Sequence, residues 1–250
     1  TRTCLDIFFL MLYLYSFDQF AGFDRVFAYQ WEDKLAIWDL VSFGENLFLV
    51  LWEKIAFPEL YTTLFVQVGS FSIVEKWFFS EKYIELLHWM VYYWYSNYKT
   101  VIKLFFEWEA LSLLQRKGEI NKKTKKTEVF VGKQQLVAEN SQILVVFPDL
   151  WTRENYLQAD KEALLLNSLD TLVRKQTNRR KIKQSLSGVI IATGSEIFQD
   201  FQNLSDIFFV EPQKWYYANQ QDPRYKVWTV LEKMSELRGA KISEISSEML

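Results

Sequence analysis

Three short polar segments follow apolar runs in the second half of the sequence: Pro148-Asp149 after Gln142–Phe147, Thr193-Gly194-Ser195 after Gly188–Ala192, and Glu211-Pro212-Gln213 after Ile207–Val210. Parallel α/β sheets bind ligands beyond the carboxyl ends of their strands, so carboxylates and hydroxyls at these places are where chemistry is expected. Two basic runs, Lys122–Lys126 and Arg174–Lys183, read by default as solvated loops or helix faces, with contact to nucleic-acid phosphates as the sharper reading. The aromatic stretch Trp89–Tyr98 offers rings for base stacking, or for a core or partner interface. His88 has no Cys, Ser or Asp arranged around it as a triad, and reads as a satisfied core or surface histidine. With one His and one Cys in the chain, neither a four-ligand zinc site nor an internal disulfide can be assembled. The lone thiol of Cys4 fits a reducing, cytoplasmic setting.

The elements that must position these residues follow from periodicity. Gln142–Phe147, Gly188–Ala192 and Ile207–Val210 are continuous apolar runs of strand length, as in a parallel sheet buried on both faces. Helical patterns run between them, notably over Ala159–Lys175, and this alternation predicts an α/β sheet. Shorter β-rich pieces (Val26–Trp31, Asp39–Phe43, Leu47–Trp52 and Leu64–Val68) with turn-like Glu32-Asp33 and Gly44-Glu45-Asn46 predict a small β domain. Ser80 ahead of Tyr83, Leu86, Leu87, Met90, Val91 and Trp94 predicts a helix with a serine N-cap. Residues 115–126 are polar and basic and read as a linker or exposed loop.

The chain has 250 residues, of which 50% are hydrophobic and 18% aromatic, enough for a packed core. Its net charge of -2 gives no support for nucleic-acid binding, which usually leaves a basic footprint. The apolar run Ile7–Phe17 is shorter than the roughly 20 residues that span a bilayer and lacks a signal-peptide flank. It reads as a buried strand or helix, with a truncated signal or membrane segment as the alternative; no membrane partner is expected. The absent initiator Met leaves open that residue 1 is not the true start.

Several strings, in order over roughly residues 23–250, resemble the primosomal protein N′ family of replication-restart helicases. Phe23–Tyr29 is similar to the family's leading strand with its Phe-Asp-Tyr element, and Ile37–Gly44 to its following turn. Phe79–Leu87, Tyr92-Tyr93 and Val101–Phe105 are similar to the next helix and the segment after it. Lys126–Phe130 resembles the end of the P-loop, and Ile143–Asp149 the strand ending Val-Pro-Glu. Ala192–Phe198, Phe201–Leu204, Asp222–Tyr225 and Ser235–Lys241 resemble four further strings in register. The resemblance implies an α+β N-terminal part, a small β domain plus helices, followed by an α/β RecA-like P-loop lobe with a parallel sheet. The implied layout is a 3′-DNA-binding β domain at 1–75, a helical segment at 76–114, a basic linker with a degenerate P-loop at 115–127, and an incomplete first helicase lobe at 128–250. The family's winged-helix insert finds no room near 108–121, and its second lobe and zinc-binding insert are expected beyond residue 250 or absent.

The same resemblance implies which residues would act, and shows what is lost. Lys126 and Thr127 stand at the end of the P-loop as a nucleotide-binding remnant, yet its glycines are replaced within Asn121–Lys125, where the side chains of Lys123 and Lys125 would fill backbone space that phosphates need. Val210 stands at the Mg²⁺-binding Asp and Pro212 at the second Glu, so Glu211 is the one surviving acid. The third motif is matched only by Glu244–Ser247. ATP and Mg²⁺ are therefore expected only if this defaced site still works. The implied nucleic-acid contacts are Phe27, Tyr29, Phe43 and Gly44 in the β domain, with Ala28 and Glu45 at altered positions, together with Arg179, Arg180, Lys181 and Lys183 in the second basic run. Trp215-Tyr216-Tyr217 falls in the family's loop after the second motif, as an exposed aromatic clamp or as packing. The expected function is DNA binding without ATP hydrolysis, on forked or 3′-ended DNA, with replication-restart or single-strand-binding proteins as further partners. The alternatives are a protein-interaction or structural module on an inactive helicase fold, or a fragment without function.

Overall fold

A computed structural model describes residues 9–16, 26–30, 40–43, 46–56, 72–75, 79–96, 98–105, 126–159, 163–184, 188–221, 223–246 and 248–250. The chain divides into two compact units, residues 1–84 and 85–250.

In the first unit, β1 (Phe9–Ser16), β2 (Val26–Gln30), β3 (Leu40–Phe43), β4 (Asn46–Ala56) and β5 (Ser72–Glu75) form an antiparallel sheet in the order β2-β1-β4-β3-β5. The apolar run at 7–17 supplies β1, and three of the four expected short strands supply β2, β3 and β4. The fourth, Leu64–Val68, lies outside the described residues, and β5 is an addition. Phe43 pairs with Asn46, so β3 and β4 form a hairpin, and Asn46, expected in the turn, begins β4.

Helix α1 (Glu81–Tyr93) begins where Ser80 predicts: the Tyr83 amide donates to the Ser80 hydroxyl at 3.4 Å. Its predicted apolar face is buried, with Tyr83, Leu86, Leu87 and Met90 all at 3% exposure or less. The rim of that helix is aromatic: Trp89 stacks on Tyr93 with ring centres 4.7 Å apart, and both meet the edge of Trp94. Helix α2 (Tyr98–Phe105) follows.

The second unit is built on a parallel sheet of β8 (Gln142–Phe147), β10 (Leu164–Leu165), β11 (Gly188–Thr193), β12 (Leu204–Val210) and β13 (Lys241–Ile245), ordered β10-β11-β8-β12-β13. Central strand β8 is buried at every position, which is why its sequence is continuously apolar after Gln142. Three helices complete the sheet's connections: α3 (Leu150–Tyr156), α4 (Leu172–Gln184) and α5 (Val227–Arg238). A smaller antiparallel sheet of β6 (Thr127–Val131), β7 (Gln134–Ala138) and β9 (Leu157–Ala159) has the order β7-β6-β9.

The two faces of the parallel sheet are covered differently. Alternate residues of β8 point opposite ways. Ile143, Val145 and Phe147 join Val129, Val131, Leu136 and Ala138 in one apolar cluster, so the small sheet stacks on that face. Gln142 lies on the other face, where its side-chain amide donates to the Ile182 carbonyl of α4 at 2.7 Å. Phe209, in register with Val146 on that face, meets Trp228 of α5. Both α4 and α5 therefore lie opposite the small sheet. At the β6–β7 turn Gly132 has φ +59, and a Cβ there would lie 2.6 Å from the Leu250 Cα, so only glycine fits. The Lys133 amide beside it donates to the Met249 carbonyl at 3.2 Å.

The helix expected over 159–175 is not formed. Ala159 ends β9, Leu164 and Leu165 pair in parallel with Ile190 and Ile191, and the helix begins at Leu172 instead. Turn chemistry decides this. The Asn167 side chain accepts from the Leu169 amide at 3.0 Å, its carbonyl accepts from the Asp170 amide at 3.0 Å, and the Thr171 hydroxyl caps the Arg174 amide at 3.4 Å.

Candidate functional site

All strands of the larger sheet run the same way, so the three polar segments read from the sequence meet at one edge. Pro148-Asp149 follows β8, Gly194-Ser195 follows β11 and Glu211-Pro212-Gln213 follows β12. The chain leaves β8 toward β10 and β11 on one side, and leaves β12 toward β13 on the other. The gap between β8 and β12 is thus the switch point at which such sheets place ligands.

Each acid at this edge has a local partner. Asp149 is the N-cap of α3: one carboxylate oxygen accepts from the Thr152 amide at 2.7 Å and the other from the Thr152 hydroxyl at 3.0 Å. Glu211 is buried, its amide donates to the Ile245 carbonyl at 2.8 Å, and its carboxylate lies 3.7 Å from the Lys214 ammonium. Its φ of 46° is in the left-handed region, where a non-glycine residue is strained. The Ser195 hydroxyl donates to the Glu196 carboxylate at 3.4 Å and lies 3.5 Å from the Thr193 hydroxyl. Among the described residues no group of three or more His, Cys, Asp and Glu is placed to hold a metal ion.

Aromatic residues close the edge from above. The Tyr217 hydroxyl reaches the Val210 carbonyl at 2.6 Å and the Val146 carbonyl at 3.2 Å, bridging the ends of β12 and β8. Its ring lies 4.3 Å from that of Phe209. Tyr225 donates to the Gly194 carbonyl at 3.4 Å, and its hydroxyl is pushed well above the usual tyrosine range, first by burial and then by the charge of Glu196. Gly194 is needed here because a Cβ would come within 2.9 Å of the Val227 side chain, a short branched group with little freedom to move. Two tryptophans remain exposed at this edge, Trp151 on α3 at 69% and Trp215 at 74%.

The other candidate residues are distributed as follows. Of the two residues expected to end a P-loop, Lys126 lies just ahead of β6 and Thr127 opens it, pairing across the ladder with Ala138. A P-loop presents its amides at the start of a helix, whereas the amides of β6 belong to an antiparallel hairpin. Arg179, Arg180, Lys181 and Lys183 lie in the second half of α4, and that helix runs back from the carboxyl edge toward the start of β11. Arg179, Arg180, Lys181 and Lys183 are therefore at the opposite end of the sheet from the Glu211 edge, while Arg174 and Lys175 begin the helix. Phe27 and Tyr29 pair with Leu14 and Leu12 on edge strand β2, while Phe43 lies on β3, further across the same sheet beyond β1 and β4. Three strand spacings of about 4.8 Å put these backbones about 14 Å apart. Gly44 lies outside the described residues, as does the first basic run apart from Lys126. His88 is half-buried on α1.

Sequence reasoning missed the bridging hydroxyl of Tyr217 and the capping role of Asp149. For Asp149 a signal existed, since an Asp three residues ahead of Thr152 at the end of an apolar strand is an N-cap pattern. No family model matches this sequence, and no curated protein matches it.

Proposed function

We propose that this chain is a nucleic-acid-binding protein related to the primosomal protein N′ helicases, in which a RecA-like lobe no longer hydrolyses ATP. The observation that carries it is α4, a helix of 13 residues holding Arg174, Lys175, Arg179, Arg180, Lys181 and Lys183 and no acid. Arg174, at its start, pairs with Asp170 of the preceding turn at 3.4 Å. In a molecule of net charge -2, such a concentration of cations on one helix is a local basic footprint that overall charge conceals. The exposed rings of Trp151 and Trp215 supply surfaces on which bases of a single strand can stack. The parallel sheet with its switch point supports a RecA-like reading, and the ordered strings support the primosomal one. Loss of hydrolysis is supported by Val210 and Pro212 in place of acids, and by a hairpin where the P-loop helix would stand.

The test is an anisotropy titration of forked, 3′-ended DNA at several salt concentrations. Binding should weaken with salt. Replacing Arg179, Arg180, Lys181 and Lys183 by Ala should lower the slope of log K against log salt by about 0.9 for each phosphate that the protein then leaves unneutralised. No binding even at the lowest ionic strength overturns the proposal. A protein-interaction module is the second reading, favoured by the exposed rings of Tyr92, Tyr93 and Tyr95 at the end of α1. A stoichiometric protein partner retained after nuclease treatment, with no DNA affinity, would establish that reading instead.

A further inference from the structure

We propose that the carboxyl end of α1 is a docking site for an arginine-bearing segment of a protein partner. This rests on the protein-interaction reading above and gives that partner its chemistry. Helix α1 closes in a Schellman turn: the Ser96 amide donates to the Val91 carbonyl at 3.1 Å, and the Tyr95 amide to the Tyr92 carbonyl at 3.5 Å. The left-handed position of such a turn usually holds glycine, because a Cβ there crowds the backbone. Here it holds Tyr95, at φ 49°. The Tyr95 ring is 97% exposed, the most of any large apolar side chain among the described residues, so no packing offsets the strain. Tyr92 and Tyr93 beside it are exposed as well. An aromatic ring held in solvent at a strained position points to a role in contact with another molecule.

The charge of this face selects the partner. Glu85, Trp89 and Tyr93 follow one another at intervals of four residues and so form one row along the helix. Trp89 and Tyr93 stack with ring centres 4.7 Å apart, and exposed Glu85 stands at the foot of the row. Aromatic faces attract a cation through their quadrupole, and so does the negative end of a helix dipole. The last turn of α1 holds no basic residue to answer that attraction. In its first turns the exposed acids Glu81 and Glu85 outnumber the exposed base Lys82. The same features repel a phosphate, which sets this face apart in kind from the basic helix α4. Arginine suits it better than lysine, because a planar guanidinium stacks on a ring while its N–H groups still reach a carboxylate such as that of Glu85.

The experiment is calorimetric titration of the whole, nuclease-treated chain with a peptide of alternating glycine and arginine, and with the same peptide carrying citrulline or lysine in place of arginine. The arginine peptide should bind about tenfold more tightly than the citrulline one, which keeps the planar N–H groups and loses the charge, with the lysine peptide between them. Glu85→Gln should weaken the arginine peptide about threefold. Tyr95→Gly should weaken it by a similar factor and at the same time raise the urea midpoint, since glycine relieves the left-handed residue. Equal affinity for the citrulline peptide, or affinity unchanged in both variants, overturns the proposal. A lower midpoint for Tyr95→Gly shows that the ring serves the fold and overturns it too. A chain that retains a stoichiometric protein partner but ignores the arginine peptide leaves the interaction reading standing and overturns this inference alone.

Discussion

Gln142 is fully buried and satisfies three backbone groups at once: the Ile182 carbonyl at 2.7 Å, the Gln202 amide at 2.8 Å and the Asn203 amide at 3.0 Å. Gln142→Leu keeps the bulk and strands all three, so it should cost about 2–3 kcal/mol, read as a lower urea midpoint with an unchanged slope. Tyr225 gives a pH signature. Its hydroxyl holds its proton more tightly folded than unfolded, so its contribution is complete below the ordinary tyrosine value of about 10 and is lost as pH rises from there toward the folded value. Tyr225→Phe should flatten the loss of stability above about pH 10 in denaturant melts, at the expense of the bond to the Gly194 carbonyl. At this scale the sequence was legible where one residue type answers a local need, as with Ser80 ahead of α1. It was not legible for Tyr217, whose partner Val146 is 71 residues away and becomes a neighbour only once β8 and β12 pair.

Strands were easier to read than the segments joining them. The run Gln142–Phe147 is of strand length, holds β-branched Ile and Val and is followed by Pro148, and β8 has the expected ends. The run Ala163–Leu166 has two readings, because a short apolar run is compatible with helix or strand, and pairing with β11 makes it a strand. The basic helix is displaced accordingly: α4 packs with Ile182 buried and polar Gln176 and Asn178 beside it, so its inner face carries almost no periodic apolar signal. Helix α5 ends on Gly239 at φ 68°, and its last residue Arg238 pairs with Asp200 at 3.3 Å, both side chains at most 7% exposed, while also donating to the Phe201 carbonyl. Arg238→Met should cost about 3–5 kcal/mol in thermal or urea unfolding, because it leaves a buried carboxylate without its cation. Adding Asp200→Asn should recover a large part of that, since removing both charges spares the desolvation of the survivor.

At the scale of the molecule, the described part holds a parallel sheet, a small antiparallel sheet and helices in the second unit, and an antiparallel sheet in the first, so the α/β half and the β-rich half were both legible in outline. No described helix is long and apolar enough to cross a membrane. Phosphate release from ATP should stay at the buffer background with and without DNA, and Lys126→Ala should leave that unchanged, because Lys126 leads into a strand and not into a phosphate cradle. Release that falls on Lys126→Ala would restore a catalytic reading. The turn at Gly132 has a consequence for how the chain reaches this state. Hairpin β6–β7 is local and closes within about 1–10 µs. Its seat is complete only when residues 249–250 arrive from the opposite end of the unit to lie against Gly132. Until the parallel sheet also assembles against it, a ready-made hairpin with Val129, Val131, Leu136 and Ala138 on one face waits without its cover. Aggregation during refolding should therefore begin at this hairpin, and slow synthesis or low protein concentration should relieve it.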